Sequence, residues 1–152
     1  MKYRLLTPSD YDKIYELWNS VEMSRRALNP VDDSREGITR YLERNPNTCF
    51  DALDTDSGSE KIVGVILTGH DGRRGIVHHL CVHPDYQRQG IASTLLKKAE
   101  EALKAEGIQK MFGLVFKEND KANAFWESQG YTLRTNLNYR NKSLNKEIPQ
   151  GE

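Results

Sequence analysis

In the stretch Leu80-Cys81-Val82-His83-Pro84-Asp85-Tyr86-Gln87-Arg88-Gln89-Gly90-Ile91-Ala92-Ser93-Thr94-Leu95-Leu96-Lys97-Lys98, an apolar run is stopped by Pro84 and followed by a polar turn. From Ile91 onward, Ala92, Leu95, Leu96, Ala99 and Leu103 recur at helical spacing. A buried strand therefore feeds a tight turn, and the turn opens a helix. The first amides of a helix lack intrahelical partners, and the macrodipole leaves partial positive charge there. Gly90 lets an anion approach the backbone closely, and Ala92 is nearly as small. The pattern suits a phosphate cradle. A purely structural turn has the same pattern.

The spelling of the turn narrows the choice. Gln87-Arg88-Gln89-Gly90-Ile91-Ala92 resembles the (Arg/Gln)-x-x-Gly-x-(Gly/Ala) signature of the GNAT superfamily of N-acetyltransferases. Leu80-Cys81-Val82-His83-Pro84 resembles that family's strand end. Asn119-Asp120-Lys121-Ala122, Phe125-Trp126-Glu127 and Gly130-Tyr131 resemble its Asn-x-x-Ala…Tyr-x-x-x-Gly-(Phe/Tyr) segment. The resemblance covers residues 1–140, most strongly 77–131.

The chain has 152 residues, enough for one domain with one sizeable core. We expect a single domain over 1–140 and a fraying polar tail over 141–152. Lys plus Arg equals Asp plus Glu at 22 each, so the usual footprint of a nucleic-acid binder is missing. No apolar run is long enough for a membrane span, and the N-terminus lacks the apolar core of a signal peptide. Cys49 and Cys81 sit in strand-like runs, as buried reduced thiols do. They form no metal pattern with the four histidines. A cytoplasmic monomer or homodimer is expected, with no metal, nucleic-acid or membrane partner.

Strands are expected at 3–6, 48–53, 62–68, 76–82, 111–116 and 132–139. A first helix carries Tyr11, Ile14, Leu17, Trp18 and Val21 on one face, and a second carries Ile38, Tyr41 and Leu42. Residues 22–33 have no clear period and contain Pro30, which predicts a loop. Polar turns are expected at 54–59 and 71–75. The central helix ends at Gly107, and a short helix spans 121–129. This order predicts an α+β fold with a mixed sheet flanked by about four helices. The resemblance implies the same order, with the fourth and fifth strands splayed around a pantetheine arm.

The resemblance also implies acetyl-coenzyme A as donor and a primary amine as acceptor. Arg88, Gln89, Gly90, Ile91, Ala92 and Ser93 would supply amides to the diphosphate. Leu80, Cys81 and Val82 would offer the pantetheine a strand edge, as they would to an added peptide. The N–H of Val82 or Cys81 would face the thioester carbonyl. Asn119 is either a helix cap or a contact of the pantetheine arm near the sulfur, or both. Trp126 stands where many family members carry Tyr as a proton donor. An indole N–H donates a hydrogen bond but is no useful acid, so Trp126 walls the site or fills core.

An ammonium acceptor must lose a proton before it attacks. Strand alternation puts His78, Leu80 and Val82 on one face and His79 and Cys81 on the other. His78 is the first candidate base, and arylalkylamine acetyltransferases resemble this segment with a catalytic His matching it. A bulge near Cys81 would turn His79 inward instead. His70 with Asp71 is a more distant choice. Glu22, Asp32 and Asp33 could hold a cation, and Arg25, Arg26 and Arg35 a carboxylate. The expected activity is acetyl transfer to a small-molecule or amino-acid-like amine in a ternary complex. Acetylation of protein N-termini or lysines, and non-catalytic acyl-coenzyme A sensing, are the alternatives.

Overall fold

A computed structural model describes residues 1–56 and 58–149. The expected turn at 54–59 therefore has Ser57 outside the described residues, and so are the last three residues of the tail. Five strands form one sheet in the order β1 (Lys2–Leu5), β2 (Phe50–Asp54), β3 (Lys61–His70), β4 (Gly75–Val82), β5 (Met111–Gly113). The first four run antiparallel, and β5 joins β4 in parallel. Five α-helices lie among the described residues: α1 (Tyr11–Asn19), α2 (Glu22–Ala27), α3 (Arg35–Arg44), α4 (Ile91–Ala105) and α5 (Asp120–Ser128). The fold is α+β, as the residue pattern predicts.

The sheet is covered on both faces. One core joins Ile14, Leu17 and Trp18 of α1 and Ile38 and Leu42 of α3 to Val65, Leu67 and Cys81. The other joins Ile91, Leu95, Leu96 and Ala99 of α4 to Val63, Ile66, Val77 and Val82. This explains why β3 is an almost unbroken β-branched and apolar run, buried from Ile62 to Gly69. On β2, beside the edge strand β1, Asp51 is fully buried. Arg4 Nη2 approaches Asp51 Oδ2 and Asp10 Oδ1, each at 2.9 Å.

Three expectations change. The segment 22–33 is not wholly loop, because α2 occupies its first half. None of its residues is buried, so it leaves no apolar period in the sequence. The fifth strand pairs only over Met111–Gly113, and Leu114 to Phe116 leave the ladder. The strand expected at 132–139 does not form. Leu133, Leu137 and Tyr139 do alternate with polar residues, but they stay 80%, 62% and 67% exposed. Alternation makes a strand only where a ladder and a covered face are available, and this segment finds neither.

Candidate active site

The cradle begins at the C-terminal end of β4. Pro84–Tyr86 forms a turn of 3-10 helix, tied by the Asp85 N–H donating to His83 Nδ1 at 3.1 Å. Arg88 and Gly90 then take left-handed backbones, with φ of 64° and 78°. That conformation is strained for Arg and free for Gly. Gly90 caps α4, and the first amide of the following turn to find a helical acceptor is that of Thr94, bonded to Gly90 O at 3.0 Å. The amides of Ile91, Ala92 and Ser93 thus begin the helix without i−4 partners. A Cβ on Gly90 would meet nothing within 4 Å, so the backbone stands open to a bulky group. Arg88 and Gln89 are exposed, Ile91 is buried, and Ala92 and Ser93 are half-buried. Lys98 lies over the Tyr3 ring at 5.6 Å instead of at the turn.

The strand leading into this turn has a free edge. β4 and β5 share rungs at Gly75, Ile76 and Val77 and then diverge. On the other side of β4, Val65 faces Cys81 and His83 N–H donates to Val63 O at 2.8 Å. Antiparallel alternation sends the amides of His79 and Cys81 to β3, so those of Leu80 and Val82 face the gap beside β5. Gln87 Nε2 reaches the Val82 carbonyl from that side, at 3.2 Å. Of the two amides expected to serve the carbonyl, that of Val82 therefore points away from β3 and that of Cys81 toward it. The cleft is walled by Val77 to Leu80, by Leu114 to Phe116, by Asn119, Ala122 and Trp126, and by Met23, Ser24 and Ala27 of α2.

Asn119 caps α5 through Oδ1, which accepts from Ala122 N at 3.1 Å. The residue also borders the cleft. Trp126 packs beside Gly113 and meets Tyr131 edge-on at 4.7 Å. Tyr131 is itself held by Glu100, its OH donating at 2.7 Å. Trp126 is thus a wall fixed from behind. Burial raises the Cys81 thiol to about 11, so no activated thiolate stands in the cleft at neutral pH.

His78 departs from simple strand parity, and His79 keeps to it. Leu67 pairs with His79 and Thr68 with Val77, which leaves His78 as an extra residue in β4. This bulge turns His78 away from the face of Leu80 and Val82. Its ring meets Tyr41 edge-on at 5.4 Å, on the α1–α3 side. Desolvation, then the neighbouring His79, push its pKa below the usual 6.5, although the residue keeps an open edge to solvent. His79 lies on the same side. Its Nε2 is 2.8 Å from Asp33 Oδ1, and its ring lies 4.3 Å from that of Trp18. The bulge thus sits at His78, not near Cys81, and brings both histidines to one face.

A strand edge opening beside a parallel partner, ending in a left-handed glycine turn and a helix N-terminus, matches a known family. The model of the acetyltransferase (GNAT) family covers residues 11–131. The chain belongs to the GNAT acetyltransferases. Acetyltransferase SG1711 of Sodalis glossinidius is 30% identical over 144 residues, covering 95% of this chain and 96% of the relative. Acetyltransferase YE1169 of Yersinia enterocolitica is 31% identical over 137 residues, covering 90% and 92%. Among solved structures, an aminoglycoside acetyltransferase, meta-AAC0020, from an uncultured soil metagenomic sample superposes with a TM-score of 0.71 at 23% identity, covering 95% and 96%. The PaiA N-acetyltransferase of Thermoplasma acidophilum, in complex with coenzyme A, gives 0.67 at 19% identity, covering 84% and 88%. These likenesses show the fold.

Several other charged candidates of this acetyltransferase have structural partners. His70 binds Glu106 at 2.9 Å and accepts from Gly72 N at 3.0 Å, so it ties the hairpin to the end of α4. Arg35 pairs with Asp12 and lies over Tyr11 at 4.8 Å. Arg25 donates to Asn19 O at 3.2 Å. Arg26 reaches Glu118 at 3.0 Å and lies over Phe116 at 5.2 Å, so α2 bridges the mouth of the cleft. Asp33 meets His79, a contact between residues 46 apart that no local pattern announces. Among the described residues no helix is long and apolar enough to cross a membrane, and no group of three or more ligating side chains could hold a metal.

Proposed function

We propose that this GNAT protein moves an acetyl group from acetyl-coenzyme A to a primary amine of a small-molecule or amino-acid-like acceptor. The observation that carries this reading is the continuous path from the free edge of Leu80 and Val82 to the Gly90 turn. Acetyl-coenzyme A supplies the activated acetyl thioester. The amides at Arg88 to Ser93 bind its diphosphate at the positive end of α4. The Arg88 guanidinium adds a charge close by. Leu80 and Val82 hydrogen-bond the pantetheine as a neighbouring strand would. The Val82 N–H is aimed where negative charge develops on the acetyl oxygen, a role worth about 3 kcal/mol. Asn119 keeps its cap bond and offers its remaining amide group to the arm. Trp126 shapes the sulfur end and donates no proton. A thiol with an ordinary pKa near 8.5 leaves tolerably as the thiolate, so no acid is required. The fit to coenzyme A rests on the open Gly90 backbone and the free strand edge.

A compact amine is favoured over a protein chain by α2. Arg26, through Glu118 and Phe116, carries this helix across the cleft mouth, where an extended peptide would need an open groove. Solved relatives of similar fold include an aminoglycoside acetyltransferase and a ribosomal-protein-S18-alanine N-acetyltransferase, so both acceptor classes belong in the test. Thiol release from acetyl-coenzyme A is followed with spermidine, kanamycin, free amino acids and an alanyl peptide. Amine-dependent release greatest with the small amines supports the proposal. Release only with the peptide would assign the protein acceptor. Binding of coenzyme A without release would make the protein a sensor.

A further inference from the structure

His79 and Asp33 form a buried pair for which the binding of coenzyme A gives no reason. Their side chains are 10% and 6% exposed, and Nε2 lies 2.8 Å from Oδ1. Each partner is fixed. Asp33 Oδ2 accepts the Asn29 N–H at 2.8 Å, and the Asp33 carbonyl accepts the Tyr11 hydroxyl at 2.8 Å. The His79 ring lies against Trp18. With Nε2 on a carboxylate, the proton of the neutral ring sits on Nε2, and the lone pair is left on Nδ1. His79 also forms part of the cleft wall, directly before Leu80. The ladder runs unbroken from Cys81 to His79, so alternation keeps His79 with Cys81 on the α1–α3 side of the sheet, and the bulge brings His78 round to join it.

We propose that His79 is the general base of the acetyl transfer and that Asp33 is its positioning residue. This rests on the acetyltransferase reading above. Nδ1 takes one proton from the acceptor's ammonium, directly or through one water, and the Asp33 carboxylate stabilises the imidazolium. The amine nitrogen then forms a bond to the acetyl carbon as the carbon–sulfur bond breaks. The electron pair of that bond leaves with sulfur. The second proton of the nitrogen passes to the thiolate, and His79 returns its own to water. The products are the acetamide, coenzyme A thiol and one proton. His78, packed on Tyr41, takes no part in the proton transfer.

The test compares His79→Gln, Asp33→Asn and His79→Ala with the wild type on the most active of spermidine, kanamycin, amino acids and alanyl peptide. In Asp33→Asn the new amide keeps its oxygen on the Asn29 N–H and turns its NH2 to His79, which forces the proton to Nδ1. The proposal predicts a fall in turnover of about 10²-fold or more for each of the three replacements, with coenzyme A affinity unchanged by calorimetry. Added imidazole should restore part of the rate to His79→Ala. Nitrogen-15 imidazole spectra should show the Nε2–H form in the wild type and the Nδ1–H form in Asp33→Asn. Turnover within about threefold of wild type in any of the three variants would overturn the assignment. So would losses of rate and coenzyme A affinity together, without imidazole rescue, or an Nδ1–H wild type. A wild type inactive on every amine would overturn the acetyltransferase reading itself, while the spectra would still report the tautomer.

Discussion

Val77 and Gly113 form the last rung of the parallel ladder between β4 and β5. Below it the strands part, and Trp126 covers Gly113 at the point of parting. A Cβ on Gly113 would lie 3.5 Å from Trp126 and 3.8 Å from Val77, which is ordinary contact. Gly113→Ala should therefore fold with stability within about 1 kcal/mol of wild type and keep the cleft. Trp126→Phe keeps a wall and removes only an N–H, so it should retain most of the maximal rate and lose affinity at worst. Steady-state kinetics on both variants checks this. A thousandfold fall in turnover for Trp126→Phe, with cofactor affinity intact, would show a chemical role for the indole.

Gly90→Val places a β-branched residue at φ 78° beside the helix amides. The strain is of order 1–2 kcal/mol, small against the core beneath α4. Coenzyme A affinity should fall at least tenfold by calorimetry, with the melting curve only modestly shifted. Unchanged affinity would remove the diphosphate from this turn.

The strands β2 to β4, α1, α3 and α4 are legible because each has a clear reason to be buried. β3 is covered on both faces, and the helices carry Ile14, Leu17, Trp18, Leu95, Leu96 and Leu103 at regular spacing. The Gly90 turn is legible because glycine at a left-handed position leaves a mark in the residue types. The bulge leaves none, since nothing in Val77-His78-His79-Leu80 says which histidine is the extra residue. Parity carried through His78 therefore pairs the wrong side chains. α2 is invisible to periodicity because it buries nothing, and the Asp33–His79 contact exists only after the chain has folded. The alternation at 132–139 misleads for the opposite reason, having the pattern without a covered face.

Arg4 should matter more than its position near the terminus suggests. It is the cation beside Asp51, whose pKa is raised, mainly by burial and against the pull of Arg4. Arg4→Met leaves that carboxylate buried and unpaired, at a cost of about 3–5 kcal/mol. Because the folded pKa lies above the unfolded 3.8, protonating Asp51 favours the fold. That contribution is complete below the unfolded pKa and is lost as pH rises through the folded one. The deficit of Arg4→Met should therefore shrink as pH is lowered from 7 toward 4. Urea unfolding at several pH values measures it, and a deficit independent of pH would show that packing, not charge, is lost.

Cys81 should not carry the acetyl group. With its thiol pushed up to about 11 by burial, the thiolate fraction at pH 7 is about one in ten thousand. Mass spectrometry after incubation with acetyl-coenzyme A should find the protein unmodified, and Cys81→Ala should keep its turnover to within a fewfold. An acetyl adduct on Cys81 would replace direct attack with a two-step route.

Amide hydrogen exchange resolved by residue tests the free edge of β4 most directly. On adding acetyl-coenzyme A, the amides of Leu80 and Val82 and those of Ile91 to Ser93 should slow together by about tenfold or more, because they face the strand gap and the turn. Cys81, already bonded to β3, should change little. Slowing confined to other parts of the chain, with Leu80 and Val82 exchanging as before, would contradict the proposed seat of the acetyl donor.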